Sequence, residues 1–325
     1  MNYLVKSEQE KAKLMFAQDV LNGLSQEKKS LPSKYLYNKD GDAIFRDIMD
    51  LQEYYPTRTE YQILKSHIGE LVRYLEGTEK LQLVDLGAGD GLKTKILINH
   101  FLKSGQNMVY SPIDISPDSI KYLLNNLRKE FPDLEGEGIS ADYFEGLKSL
   151  REDKKTKKLV LFLGSNIGNF DLKETMTFLK ELHDSLNKDD LLLIGFDLKK
   201  DPRVIIKAYD DKSGITAEFN RNLLKRINEE LGGNFNPDDF TFFPKYDPET
   251  GELRSYLVSL KDQNVFIETL GRSFFFSKWE TLHTECSNKY DLESIERIAE
   301  DTGFTILTHY VDEQQYFTDS LWQVG

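Results

Sequence analysis

The residues best suited to chemistry stand in one short run, Val84-Asp85-Leu86-Gly87-Ala88-Gly89-Asp90-Gly91-Leu92-Lys93-Thr94, between an apolar β-type stretch and a helical one. Glycines at 87, 89 and 91 permit a tight turn and let a ligand approach the backbone closely. The order is D-x-G-x-G-x-G. Dinucleotide sites require G-x-G-x-x-G, and Leu92 stands where the third glycine is needed. An acid at a strand end is a poor neighbour for a pyrophosphate and a good one for a cation. Two more acids end the following strands, Asp114 in Pro112-Ile113-Asp114 and Asp142 in Ser140-Ala141-Asp142-Tyr143. A carboxylate at the first position can accept from both hydroxyls of a ribose, and one at the second from an adenine amino group. Singly, each reads as a helix cap or a surface charge. Jointly, at successive strand ends behind a glycine loop, they read as the site of a cationic nucleoside ligand.

Such side chains need a sheet to hold them. Apolar β-type runs at 81–86, 108–113, 159–163 and 191–196, with a weaker one near 138–140, alternate with helical-period segments such as 117–130 and 172–186. Pro117 after Ser116 suits the first position of a helix. This alternation predicts an α/β fold, with a parallel sheet covered on both faces and ligands at its carboxyl edge. After Phe196 it stops. Helices are predicted over 201–208 and 216–231, the first polar turn of the second (Asn220-Arg221-Asn222) having a structural role in holding two lobes together. β segments follow within 240–280, among them 256–260, 265–270 and 272–276. The tail resumes the earlier style, with a helix over 292–301 and strands over 304–311 and 316–324. At the other end, Ser7-x-x-Glu10 and Thr57-x-x-Glu60 have capping-box spacing and predict helices reaching Leu24 and Leu75, with a short helix from Ala43 to about Leu51. The expected domains are 61–197 with 289–325, binding the nucleoside ligand, and 1–60 with 198–288, binding the substrate.

Composition narrows the function. With 39% apolar and 12% aromatic residues in 325, the chain can bury a core and is not a disordered one. It has no apolar run long enough to cross a bilayer, and its opening lacks a signal-peptide core, so a soluble cytoplasmic protein with no membrane partner is expected. The single cysteine, Cys286, excludes an internal disulfide and a cysteine metal cluster; on a strand it would be a buried thiol facing away from its neighbours. His67, His100, His183, His283 and His309 have no metal spacing, so no metal is expected, although His283 stands near Glu285. A net charge of −13 repels phosphate backbones, and Lys154-Lys155-Thr156-Lys157-Lys158 reads as a solvated turn, so nucleic acid is not an expected partner.

The acid-and-glycine constellation resembles the class I S-adenosylmethionine-dependent methyltransferases. The flanking segments LPSKYLYNKDGDAIF, LQEYYPTRTEYQIL, LFLGSNIGNF, KAYDDKSGITAEFNRNLLKRINEELGGNFN and HTECSNKY are similar to the L-histidine Nα-methyltransferase family of the ergothioneine pathway, in order and over nearly the whole chain. The resemblance implies a Rossmann-like methyltransferase sheet with an inserted α+β substrate-binding lobe. It implies S-adenosyl-L-methionine as methyl donor, S-adenosyl-L-homocysteine as product, and a monomeric enzyme that trimethylates the α-amine of free L-histidine to hercynine. It places Gly87, Ala88, Gly89, Lys93, Asp114, Asp142 and Tyr143 at the donor. It places Asn169, Tyr54 and Tyr209 at the amino and carboxylate end of the amino acid, and Tyr37 near the amine, making Tyr37 and Asn169 the catalytic positions. Glu285 and Ser287 would recognise the imidazole.

Those roles suit the reaction. Methyl transfer from a sulfonium is an in-line displacement in which positioning dominates, and a good near-attack geometry is worth roughly 7–11 kcal/mol. Tyrosine faces attract an alkylammonium by about 0.5–2 kcal/mol, whether or not it retains N–H donors. The family often has a methionine where Ser255 aligns; a smaller polar group there leaves room for a larger ring or a bridging water, which keeps another aromatic amino acid, such as tryptophan, open as substrate. Two other classes compete. A nicotinamide oxidoreductase is opposed by the missing third glycine, and a binding module without turnover by Asn169 together with all three tyrosines. Taken alone, the tyrosines also read as core aromatics, Asn169 as a cap for the helix that follows, and Glu285 as a surface acid.

Overall fold

The structure is a computed structural model that describes residues 2–114, 117–141, 143–150 and 156–325. In chain order it opens with helices α1 (Asn2–Leu24), α2 (Lys39–Asp50) and α3 (Tyr55–Arg73). Then come β1 (Leu81–Leu86), α4 (Thr94–Lys103), β2 (Met108–Asp114), α5 (Pro117–Glu130), the two short strands β3 (Glu135–Gly136) and β4 (Ile139–Ser140), and α6 (Tyr143–Leu150). β5 (Lys157–Phe162), α7 (Leu172–Ser185) and β6 (Leu191–Asp197) complete the alternating region. Next are α8 (Pro202–Tyr209), α9 (Ile215–Leu231), β7 (Phe240–Tyr246), β8 (Glu252–Ser259), β9 (Gln263–Ile267), β10 (Arg272–Phe276) and β11 (Thr281–Asn288). The tail is α10 (Leu292–Thr302), β12 (Phe304–Val311) and β13 (Phe317–Val324).

Two compact units result, Met1–Tyr55 with Asp201–Ser287, and Pro56–Lys200 with Asn288–Gly325. The second holds a sheet in the order β12-β13-β6-β5-β1-β2-β3, with β4 also beside β2. Strands β6, β5, β1, β2, β3 and β4 run parallel, while β13 is antiparallel to both β6 and β12. The tail hairpin thus makes the sheet mixed rather than wholly parallel. Each central strand is apolar on both faces because both are covered. Leu81 and Leu83, Leu159 and Leu161, Leu191 and Leu193 join Ile63, Leu64, Leu97, Ile98, Phe101 and Leu123 in one core. Val84 and Leu86, Val160 and Phe162, Leu192 and Ile194 join Phe178, Leu179, Leu182, Ile295 and Ile298 in the other. Strict alternation along each strand assigns these residues to their sides.

The first unit has a sheet in the order β11-β8-β7, with β7 and β8 antiparallel, and a separate antiparallel pair, β9 and β10. Helix α9 supplies it with buried Phe219, Leu223, Leu224, Ile227 and Leu231. The polar turn of α9 makes its hydrogen bonds inside this unit. Asn222 Nδ2 donates to Asn38 Oδ1 at 2.8 Å, Arg221 Nε to the Phe240 carbonyl at 3.3 Å, and Asn220 accepts from Thr284 Oγ1.

Several local expectations are corrected. Helix α1 already runs from Asn2, so Ser7 is within it rather than its cap. Asn38 caps α2, its side chain accepting from Gly41 N–H at 2.8 Å, which starts that helix four residues before Ala43. Helix α3 begins at Tyr55, so Thr57 and Glu60 are in its first two turns and form no cap. The compact units meet in sequence at Tyr55 and Pro56, and Glu60, bonded to Lys93 and to Gly164, belongs to the second. Nor are Lys157 and Lys158 in a solvated turn. Both belong to β5, and Lys158 is fully buried with its ammonium 3.8 Å from Asp190.

At the carboxyl end of β6 a buried ionic triad secures the sheet. Asp197 pairs with Lys289, 2.9 Å away, and with Lys200, and all three side chains are almost wholly buried. Burial pushes the Asp197 carboxyl up, yet the two ammoniums together hold it below the ordinary range; burial lowers Lys200 to about 8. The Asp197 carbonyl also accepts from Tyr290 N–H at 2.9 Å, fixing the chain where it re-enters this unit. Asp197→Asn strands two buried ammoniums, so urea unfolding should show a loss of about 3–5 kcal/mol; an unchanged midpoint would mean that water solvates the lysines.

Candidate active site

The glycine run forms the loop from β1 to α4, as its composition requires. Gly87, Gly89 and Gly91 have φ of +75°, +54° and +70°, a region costly for other residues. A Cβ on Gly87 would stand 2.7 Å from the Tyr143 hydroxyl and 2.9 Å from Asn166 Nδ2, whereas one on Gly89 would meet nothing within 4 Å. The loop is thus packed at its base and open at its tip, a fitting cradle for a ligand that approaches the backbone.

Asp85 has another role than the strand-end acid facing a cation. It is buried and accepts from Thr94 Oγ1 at 2.5 Å and Tyr110 Oη at 2.9 Å, which fixes the first turn of α4. Burial pushes its carboxyl up to about 6, against the pull of those hydroxyls and of Lys93. Asp114 ends β2, partly exposed, and its carbonyl accepts from Ala141 N–H at 3.1 Å. β4 pairs with β2 through Ser140 and Asp114, so the chain leaves β4 beside Asp114. Asp142 itself lies outside the described residues. Tyr143 opens α6 with its ring 5.3 Å from Phe162 and 5.8 Å from Phe178. Burial, with the fields of Asp114 and Asp85, raises its phenol. Ala88 is in the loop, partly buried, and Lys93 is the residue preceding α4. Glycine backbone and partly exposed Asp114 suit a nucleoside carrying hydroxyls, and the Lys93 ammonium suits its acceptor groups.

Asn169 ends a 3-10 turn, Asn166–Asn169, that follows β5. It does not cap α7. Asp171 does, in a capping box with Glu174.

In the first unit, three of the singled-out tyrosines come together with residues the sequence reading passed over. Tyr37 packs edge-on to Phe45 and Phe219 at 5.5 and 5.3 Å, Phe45 edge-on to Tyr54 at 6.3 Å, and Tyr54 edge-on to Tyr209 at 6.1 Å. Tyr209 closes the chain of rings with a buried 2.8 Å hydrogen bond between its hydroxyl and Ser287 Oγ. Glu285 is two residues before Ser287 on β11 and is partly exposed, as is His283, whose ring is 5.4 Å from Tyr256. Burial and the charge of Arg254 lower His283. Ser255 is on the buried face of β8 with Leu253 and Leu257. Its carbonyl accepts from Thr284 Oγ1 at 3.1 Å, while its own hydroxyl is buried without a partner. Ser255 is therefore set beside Thr284, the neighbour of Glu285. Cys286 is half-buried rather than buried.

Sequence reasoning missed Phe45, Phe219, Thr94, Tyr110 and above all Glu60. The signal for Glu60 was present: with Ile63, Leu64 and Leu71 it falls on the apolar stripe of α3, where a charge must have a partner.

The family described as histidine-specific, S-adenosylmethionine-dependent methyltransferase matches residues 16–324. The chain is 34% identical over 277 residues to the histidine N-alpha-methyltransferase of Mycolicibacterium smegmatis, covering 85% of each chain. It is 31% identical over 308 residues to the histidine N-alpha-methyltransferase of Mycobacterium tuberculosis, covering 95% of this chain and 94% of that one. It is 30% identical over 293 residues to ergothioneine biosynthesis protein 1 of Neurospora crassa, covering 89% of this chain and 32% of that one.

The Asp85 carboxyl predicts a pH effect with a definite sign. Its folded pKa is raised, so its stabilisation is fully present below about pH 4 and is lost as pH rises through about 6. Asp85→Asn stays neutral throughout. Between pH 4 and 7 the wild type should therefore lose on the order of 2–3 kcal/mol relative to this variant in urea unfolding; parallel curves would show that Asp85 is not the titrating group.

Proposed function

The chain belongs to the histidine-specific, S-adenosylmethionine-dependent methyltransferases, and from that premise we infer that it transfers three methyl groups to the α-amine of L-histidine, giving hercynine for ergothioneine biosynthesis. The observation that carries this reading is the match along residues 16–324; it takes in every residue assigned a role below.

The donor supplies an electrophilic sulfonium methyl, and the protein's part is to hold it and to present the amine. Backbone at Gly87, Ala88 and Gly89 lets the donor approach, and Asp114 accepts from its ribose hydroxyls. Lys93 offers an ammonium to its acceptors, and Asp142 with Tyr143 takes the adenine. In the other unit, Tyr54 and Tyr209 hold the zwitterion end of the amino acid, joined in that role by Asn169, whose carboxamide both donates and accepts. Tyr37 accepts from the amine and so turns its lone pair toward the methyl. As N–H donors are replaced by methyls, the tyrosine rings keep attracting the growing cation. Glu285 accepts the imidazole N–H, and the Tyr209–Ser287 pair provides a hydroxyl beside it. Pro56–Lys200 with Asn288–Gly325 carries the donor residues and Asn169, and Met1–Tyr55 with Asp201–Ser287 carries the other amino-acid residues. Ser255, in place of a bulky apolar residue, sets how large a ring is accepted.

Incubation with the donor and each of the twenty amino acids, read by product mass, tests the reaction. Histidine should gain three methyls; a panel in which histidine gains none while tryptophan or another amino acid does would overturn the substrate. Glu285→Ala should raise KM for histidine and leave donor affinity alone, whereas equal losses in both would remove Glu285 from imidazole recognition. Asp114→Ala leaves ribose hydroxyls without an acceptor, a loss of about 1–3 kcal/mol in donor binding by calorimetry. Unchanged affinity would take Asp114 out of the site.

A further inference from the structure

One buried carboxylate has no part in the reaction described above. Glu60 on α3 has no exposed surface. It is hydrogen-bonded to the ammonium of Lys93, and its two oxygens accept the backbone N–H of Gly164 at 2.7 and 3.0 Å. Lys93 closes the glycine loop, and Gly164 lies between β5 and the turn that ends in Asn169. The fit is close. A Cβ on Gly195 would stand 2.2 Å from Glu60 Oε1, and one on Gly164 would stand 3.3 Å from Lys93 Nζ. Asp319 on β13, paired in the ladder with Gly195, is also fully buried. Burial and the neighbouring charge of Glu60 push its carboxyl well above the ordinary range.

We propose that Glu60 is a positioning residue for donor binding, holding the Lys93 ammonium at the end of the glycine loop and the Gly164 N–H in register with it. The proposal rests on the reading of Gly87–Lys93 as the donor site and adds a residue to it. An ammonium has three N–H donors, so the bond to Glu60 orients Lys93 while leaving capacity for acceptors of the donor. Lys93 gives the buried Glu60 carboxylate a positive partner, and the pair escapes the cost of an unpaired buried ion. The same carboxylate also ties the loop that receives the donor to the backbone leading to Asn169.

A double-mutant cycle on S-adenosylmethionine affinity, measured by calorimetry on the full chain without amino acid, tests this. Glu60→Gln keeps an acceptor for Gly164 but no charge for Lys93. Glu60→Gln and Lys93→Met should each weaken binding about tenfold to a hundredfold, and the double variant should bind no worse than Lys93→Met. A merely structural Glu60 would instead make the two losses multiply, which overturns the proposal, as does wild-type affinity in either single variant. If Glu60→Gln fails to fold, the double variant, with no charge left unpaired, should fold. Failure of both assigns Glu60 to the scaffold and also overturns the proposal. A wild type that binds the donor but leaves histidine unmethylated would strike the substrate reading alone.

Discussion

A strand buried on both faces can present polar groups only at its ends. In the sheet of the second unit, β1, β5 and β6 are apolar toward both cores, and water is excluded from their sides. The loops that leave their carboxyl ends must therefore carry the glycines, acids and amides of the site. Parallel strands place these exits on one edge. That is why Gly87, Asp114, the turn ending in Asn169 and Asp197 follow successive strands although they are far apart in sequence.

The same burial makes each charge near that edge expensive unless it is matched, and the protein matches its acids in different ways. Asp85 has two hydroxyl donors whose pull does not offset burial, so its pKa stays raised. Asp197 has two ammoniums and a lowered one. Glu60 takes a cation and a backbone N–H together. Asp319 is buried beside Glu60, and burial with that neighbouring charge raises its carboxyl well above the ordinary range. These carboxyl groups differ in partners rather than in residue type, and their chemistry follows from the partners.

The first unit is organised differently, around aromatic rings. A continuous set of rings from Tyr37 through Phe45 and Tyr54 to Tyr209 ends on the hydroxyl of Ser287. Edge-on ring contacts orient each phenol through its neighbour. Two phenylalanines with no polar atom, Phe45 and Phe219, thereby help to fix where the tyrosines point.

Much of this was legible from residue order. Alternating apolar runs and the glycine spacing identify the α/β architecture and the tight loop after β1, because those features depend on period and on local backbone geometry. The family resemblance singles out Tyr54, Tyr209 and Ser287, which the fold then brings together. What the chain order could not reveal is which acid meets which partner. Thr57-x-x-Glu60 has the spacing of a cap, yet Glu60 reaches Lys93 and Gly164, 33 and 104 residues further on. Asp85 reads as a ligand-facing acid, yet it is closed off by Thr94 and Tyr110. Lys158 reads as surface charge, yet it is sealed against Asp190. Hydrophobic period and turn chemistry act over a few residues and so are written in the sequence itself. The partner and protonation state of a buried charge depend on distance through space and on exclusion of water, and only the folded chain sets these.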